Sequence, residues 1–376
     1  MNSNVSNIAA VLCQLLQSAK DDTAYKNYLF VRDCVLDMLA EAQGGTDMPS
    51  NYWDEELAGF DYLFDASPLI IRKLREHCYH ITGLRSYEYR QHHEHKLGLF
   101  REKLKVLQKI DANNLFIPEH RDLGGFGHEI DGELVNIDTL KFYESLIALD
   151  RAGVLERFRS LTERPIIVEI GAGWGGFAYQ FKKIMPHCIY VIIDLPQTML
   201  FSGVYLKTLF PEAKTFIYGE NGNNIIPFDS ITDYDFVFIP HYLTKTFQLP
   251  RIDLCVNMVS FQEMTSNQVL SYTQWLWESS CQTLYSHNRA RSAHNSQLSD
   301  ISQLLTLGFE LEEIPVLPIP YTSFKMPQPV WWGTKLKKMA YNIIRSVWGP
   351  PQKNAGTHQD YRHLLGRPRA FFKVDT

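Results

Sequence analysis

The stretch Pro165-Ile-Ile-Val-Glu-Ile-Gly-Ala-Gly-Trp-Gly-Gly-Phe177 decides how this chain folds. Apolar, mostly β-branched residues broken by one acid, Glu169, predict a buried strand over 166–170. Gly171-Ala172-Gly173-Trp174-Gly175-Gly176 then predicts a tight turn. Glycines adopt backbone angles that side chains forbid and let the chain lie against a ligand. Phe177-Ala-Tyr-Gln-Phe-Lys-Lys-Ile184 follows with helical spacing, so a helix N-terminus aims its amides at whatever occupies the turn.

Two ligand classes suit such a strand–turn–helix. Read as G-x-G-x-x-G through Gly171, Gly173 and Gly176, it fits a dinucleotide whose pyrophosphate rests on the helix N-terminus. Read as E-x-G-x-G-x-G from Glu169 to Gly175, it fits S-adenosylmethionine, which carries an ammonium and a sulfonium but no phosphate. Glu169 favours the second reading. A carboxylate near the end of a buried strand is costly without a partner, and the methionine ammonium supplies one. The plain alternative is a glutamate satisfied by backbone amides in an ordinary α/β turn.

Ile189-Tyr-Val-Ile-Ile-Asp194 predicts the neighbouring parallel strand, ending in a carboxylate able to accept ribose hydroxyls. Glu169, Gly171, Ala172 and Gly173 are therefore expected to hold the methionine part, and Asp194 with Leu195 the ribose. Asp194 would serve NAD equally, so a nicotinamide oxidoreductase stays open at this point.

Further apolar runs predict strands at 215–218, 235–239, 253–259 and 282–286, several separated by helical patterns. This alternation predicts an open, mainly parallel α/β sheet with helices on both faces, whose ligands bind beyond the carboxyl ends of the strands. Residues 1–120 read as a helical N-terminal domain. Val5, Ile8, Leu12, Leu15 and Leu16 form one stripe, and Leu29, Leu36 and Leu39 belong to a second helix. Pro68 opens another helix that Thr82-Gly83 stops, and a further one is expected over 85–109.

A connecting loop and helix occupy 121–160, with Leu123 to Gly132 as a glycine-rich loop or short hairpin. The α/β core spans 161–314. Residues 315–376 form a basic, Pro- and Trp-rich extension. Within it Trp332, Leu336, Met339, Ile343 and Val347 share one helical face over 331–348, suited to a peripheral membrane or subunit contact. Arg369 to Val374 is expected to be a last strand.

The 376 residues carry a net charge of −5 with 45% hydrophobic content, which describes a filled globular core and no general nucleic-acid binder. The six cysteines are scattered without a C-x-x-C pair, suggesting neither disulfide scaffold nor zinc site. His92, His93 and His95 do not converge on one helical face, and no metal ligand set is evident. The opening residues lack a basic end, and no apolar run is long enough to span a bilayer. A cytoplasmic protein is expected.

Three blocks resemble the sugar O-methyltransferases, class I proteins that use S-adenosylmethionine and are often linked to bacterial surface polysaccharides. The blocks are Val168 to Phe177, Tyr190-Val-Ile-Ile-Asp-Leu-Pro196, and Asp253-Leu-Cys-Val-Asn-Met-Val-Ser-Phe-Gln-Glu-Met264, with a weaker fourth at Tyr285-Ser-His-Asn-Arg289. The resemblance covers about residues 120–315. It implies a Rossmann-like class I methyltransferase sheet and a sugar or glycan hydroxyl as acceptor. A phenol or polyketide acceptor, or a non-catalytic interaction protein of the same fold, are the alternatives.

Methyl transfer to a weakly acidic hydroxyl needs a base or metal to take the proton as the bond forms. Glu263, His241 and His287 each follow or close a predicted strand and are the catalytic candidates. Gln262, Ser260, Asn288 and Arg289 add polar groups, Glu220-Asn221 would reach an adenine, and Gly124, Gly125 and His128 would cover the sugar. Glu169→Gln and Asp194→Ala are each expected to weaken S-adenosylmethionine affinity about tenfold or more through lost charge-assisted hydrogen bonds. Calorimetric titration checks this.

Overall fold

A doubly wound sheet positions the glycine turn. The computed structural model describes residues 2–42, 49–90, 96–222, 228–244, 246–247, 249, 251–290, 295–317 and 361–373. The histidines at 92, 93 and 95 and the stretch 331–348 lie outside the described residues. The strands are β1 (His128–Ile130), β2 (Glu133–Val135), β3 (Ile166–Ile170), β4 (Ile189–Asp194), β5 (Thr215–Ile217), β6 (Phe236–Pro240), β7 (Leu254–Met258), β8 (Leu284–Arg289), β9 (Phe309–Glu313) and β10 (Tyr361–Pro368).

β1 and β2 pair as a small hairpin, and the other eight form one sheet in the order β5-β6-β4-β3-β7-β8-β10-β9. Pairing is parallel from β5 to β8, while β10 inserts antiparallel between β8 and β9. This is the Rossmann-like α/β sheet expected from the sequence. Every residue of β3, β4, β6 and β7 is buried, as in a sheet covered on both faces. The chain leaves β3 toward β4 and later returns to β7 on β3's other side. The order therefore reverses beside β3, where ligands of such sheets bind.

Three expectations change. The last described strand is Tyr361–Pro368, and residues 369–373 lie beyond it: His363, Leu364 and Leu365 are buried in the sheet, whereas Phe371 is 69% exposed. The helix expected over 68–82 breaks into the short helix Pro68–Ile71, a 3-10 turn Leu74–His77 and the short helix Tyr79–Thr82. Gly83 closes the last in the left-handed conformation (φ 67°), as expected of a terminating glycine. The next helix starts only at Leu97 and ends at Ile110. The apolar stripe of the first helix, Asn2–Lys20, faces outward, with Ile8, Val11, Leu12 and Leu15 all exposed. Among the described residues no helix is long and apolar enough to cross a membrane.

The helical N-terminal part joins the sheet through packing and one buried cation. The helix Thr23–Ala42 lies against the helix Pro196–Leu209, so closely that a Cβ on Gly203 would sit 2.8 Å from Val31. Arg75 is fully buried. It donates to Glu119 (2.7 Å) and Asp138 (2.8 Å) and lies 3.8 Å from the centroid of the Trp174 ring. Trp174 belongs to the glycine turn, and its Nε1 also donates to Asp138 (3.1 Å). One guanidinium thus ties residues 74–77, the helix Ile137–Arg151 and the turn together.

Removing one partner of such a network strands the others in a dry interior. Arg75→Met is expected to destabilise the fold by about 3–5 kcal/mol, read as a lower denaturation midpoint in urea.

Candidate active site at the glycine turn

A cavity of about 420 Å³ opens at the carboxyl ends of β3, β4 and β7, within the size range of small-molecule sites. Its floor is the glycine turn. Gly171, Gly173 and Gly175 have φ of 74°, 58° and 84°, the left-handed region that glycine enters without strain. Gly176 serves packing instead, since a Cβ there would lie 2.2 Å from the Trp174 ring. The glycines with special backbone angles are therefore those of the E-x-G-x-G-x-G reading.

Glu169 lines this floor yet is only 2% exposed. The Tyr190 hydroxyl donates to its Oε2 (2.8 Å). Burial pushes its carboxyl up to about 8, against the lowering effect of that bond. Asp194 braces the turn, accepting from Gly173 N–H and Leu195 N–H, both at 2.8 Å. Burial raises it to about 6, with the hydrogen bonds opposing. Ala172 and Leu195 also line the cavity. All six expected cofactor residues thus meet in one place.

The wall opposite is built by a strained backbone. Val259, just past β7, has φ 60°. For a β-branched residue this is a true outlier, of the kind that costs about 1–3 kcal/mol and gathers at functional sites. Its N–H bonds the His287 carbonyl (2.9 Å). Asn257, fully buried, bridges to the turn: its Nδ2 donates to the Ile170 carbonyl (2.9 Å) and its Oδ1 accepts from Phe261 N–H (3.0 Å). The chain then folds back over Gly171 and presents Gln262 and Glu263 to the cavity. Glu263 is partly buried, and its carboxyl is raised to about 8 by burial, with Lys141 opposing and Glu56 and Asp194 adding.

The roof comes from residues that the sequence did not point to. Ser50, Tyr52 and Trp53 line the cavity, with the Ser50 hydroxyl donating to the Glu263 carbonyl (2.6 Å). Ile81 to Leu84, Lys141, Tyr272 and Tyr361 complete it. Their only sequence signal is that aromatic and polar residues cluster near loop ends.

The three catalytic candidates do not converge. Glu263 and His241 both line the cavity. His241 follows β6, whose Pro240 pairs with Asp194, so it lies beside the end of β4. Two strands separate β6 from β7, placing their ends about 14 Å apart at ~4.8 Å per strand. His287 is fully buried and does not line the cavity. β8 runs on to Arg289, so His287 sits inside the sheet, stacked on His363 at 4.0 Å with Ser145 Oγ 3.0 Å from its Nδ1.

Asn288 is buried against Asn257, and Arg289 lies over the Tyr361 ring. Glu220 does not line the cavity. His128 packs with Tyr89 and Phe100 rather than covering a ligand. Gly125 fits tightly under the His120 carbonyl. Among the described residues, no group of three His, Cys, Asp or Glu is placed to hold a metal ion.

No protein-family model matches the chain, and no curated protein matches it. Many solved structures resemble it in part, among them the following three. The pyocyanin biosynthetic protein PhzM is 14% identical over 60% of this chain and 57% of its own, with a TM-score of 0.33. Magnesium protoporphyrin IX methyltransferase from Synechocystis PCC 6803 with bound SAM is 10% identical over 72% and 97%, at 0.35. Phosphoethanolamine N-methyltransferase 2 of Haemonchus contortus, with phosphomonomethylethanolamine and S-adenosylhomocysteine, is 9% identical over 60% and 56%, at 0.32. The chain thus spans little more than half of the first of these. With TM-scores this low, the likenesses add nothing to what the strand order and cavity establish.

Raised carboxyls make stability depend on pH. Glu169 and Glu263 keep protons in the folded state that the unfolded chain has lost above its usual carboxyl range. Their contribution is complete at low pH and disappears as pH rises through about 8. Urea unfolding of the ligand-free protein is therefore expected to show a lower midpoint at about pH 8.5 than at about pH 6, which bracket the upper part of the window between 4.5 and about 8. Either mutation, Glu169→Gln or Glu263→Gln, should flatten that slope.

Proposed function

We propose that this chain is an S-adenosylmethionine-dependent methyltransferase acting on a sugar hydroxyl. The observation that carries the reading is Glu169: a buried carboxylate on the floor of a cavity, beside a turn of left-handed glycines. Desolvated carboxylates of this kind gain most from a cation at hydrogen-bonding distance. The donor's ammonium supplies it. A dinucleotide fits less well, because the described lining offers a single lysine and no arginine to meet the two charges of a pyrophosphate.

The bound donor supplies an electrophilic methyl group on sulfur. Glu169 with Gly171, Ala172 and Gly173 holds the amino-acid end, and Asp194 with Leu195 accepts from the ribose. Glu263 takes the proton from the attacking hydroxyl. Its raised carboxyl makes it a stronger base than an exposed glutamate, near the optimum for work at neutral pH. The donor would supply the leaving group as well, the C–S electron pair returning to sulfur as a thioether while the C–O bond forms. Tyr52, Trp53 and Tyr272 offer flat apolar faces for the C–H face of a sugar ring. The same aromatic wall favours, as a second reading, a phenolic acceptor.

Glu263→Gln is expected to lower the rate of methyl transfer about 10²–10⁴-fold while S-adenosylhomocysteine affinity stays within about threefold. Product mass after incubation with a panel of glycosides and phenols reads out both the rate and the acceptor class. Methylation of neither class by the wild-type protein would contradict the proposal.

A further inference from the structure

Lys141 is the one lysine or arginine among the described residues lining the cavity, against four carboxylates. Its place is fixed by the sequence around it. Asn136 caps the helix Ile137–Arg151 with a reciprocal capping box, so Asp138 and Lys141 share a face one turn inside the helix. Lys141 Nζ lies 2.9 Å from Asp138 Oδ1 and its side chain is 14% exposed. The other oxygen of Asp138 is taken by Arg75 (2.8 Å) and Trp174 (3.1 Å). Asp138 therefore fastens the ammonium of Lys141 to the glycine turn itself.

An ammonium has three donors, and the Asp138 bond uses one. The other two are left for a group that a ligand brings. Lys141 also stands within electrostatic reach of both Glu169 and Glu263, holding each carboxyl down against burial. Through Asp138 and Trp174 it is tied to the glycine turn that follows Glu169, and it lines the same cavity.

That end carries two opposite charges on the same carbon. An ammonium seated at Glu169 brings its carboxylate to the adjoining wall, where an unpaired anion among acids would be strongly disfavoured. We propose that Lys141 binds the carboxylate of the methyl donor and so selects a complete amino-acid end. This inference rests on the cofactor reading above and adds a residue that reading does not use.

The test compares S-adenosylhomocysteine with its decarboxylated analogue, which keeps the adenosine, thioether and amine. The wild-type protein is expected to bind S-adenosylhomocysteine about tenfold or more tighter. Lys141→Met should lose that preference by weakening S-adenosylhomocysteine alone, and its unchanged affinity for the analogue reports an intact cavity. Lys141→Arg should keep the preference. Equal binding of both ligands by the wild-type protein overturns the proposal, as does a Lys141→Met variant that weakens both equally or keeps the wild-type ratio. Binding of neither ligand by the wild type removes the cofactor reading, and this one with it.

Discussion

Gly171 and Ser260 come so close that a single methyl group on Gly171 would fall 2.0 Å from the serine hydroxyl oxygen. That approach sets the shape of the whole site. It brings the turn after β3 against the turn after β7, with Glu169 on one side and Glu263 on the other. The contact is held from three directions. Asp194 grips the turn through Gly173, Asn257 grips Ile170, and Val259 accepts a left-handed backbone so that the chain can double back. Strain at Val259 persists because these bonds over-determine it.

Within that frame the charges are unbalanced in one direction. Glu169, Asp194 and Glu263 all hold their protons more tightly than ordinary carboxyls because burial disfavours their anions. The described lining of the cavity is short of positive charge, with one lysine against four carboxyl groups. A ligand bearing cationic groups relieves that deficit, which is why the reading leads to S-adenosylmethionine and away from a pyrophosphate. Arg75, although buried, does not contribute to this balance, because Glu119 and Asp138 neutralise its charge.

The sheet and the glycine-turn side of the cavity were legible because both are written locally. Runs such as Ile166–Ile170 and Ile189–Asp194 fix their own strands, and Glu169, Gly171 and Asp194 lie on them or one residue beyond. The rest of the lining was not, because it is assembled across the chain. Ser50 meets Glu263 across 213 residues, and Tyr361 arrives on a strand inserted from the far end. His287 shows how a strand end read a few residues short misleads: with β8 running to Arg289, a residue expected at the mouth becomes part of the core. The helices of the first hundred residues were misjudged where tertiary packing overrode periodicity. The broken run from Pro68 to Thr82 is an example, since it follows the needs of Arg75.

The central claim is that the Glu169 carboxylate meets a cation when the donor binds. Its most direct measurement is the titration of Glu169 by carboxyl-carbon NMR, with and without S-adenosylhomocysteine. The account predicts an apparent pKa near 8 in the free protein that falls by about two units or more in the complex, as a nearby ammonium favours the anion. A titration unchanged by a saturating ligand would contradict it.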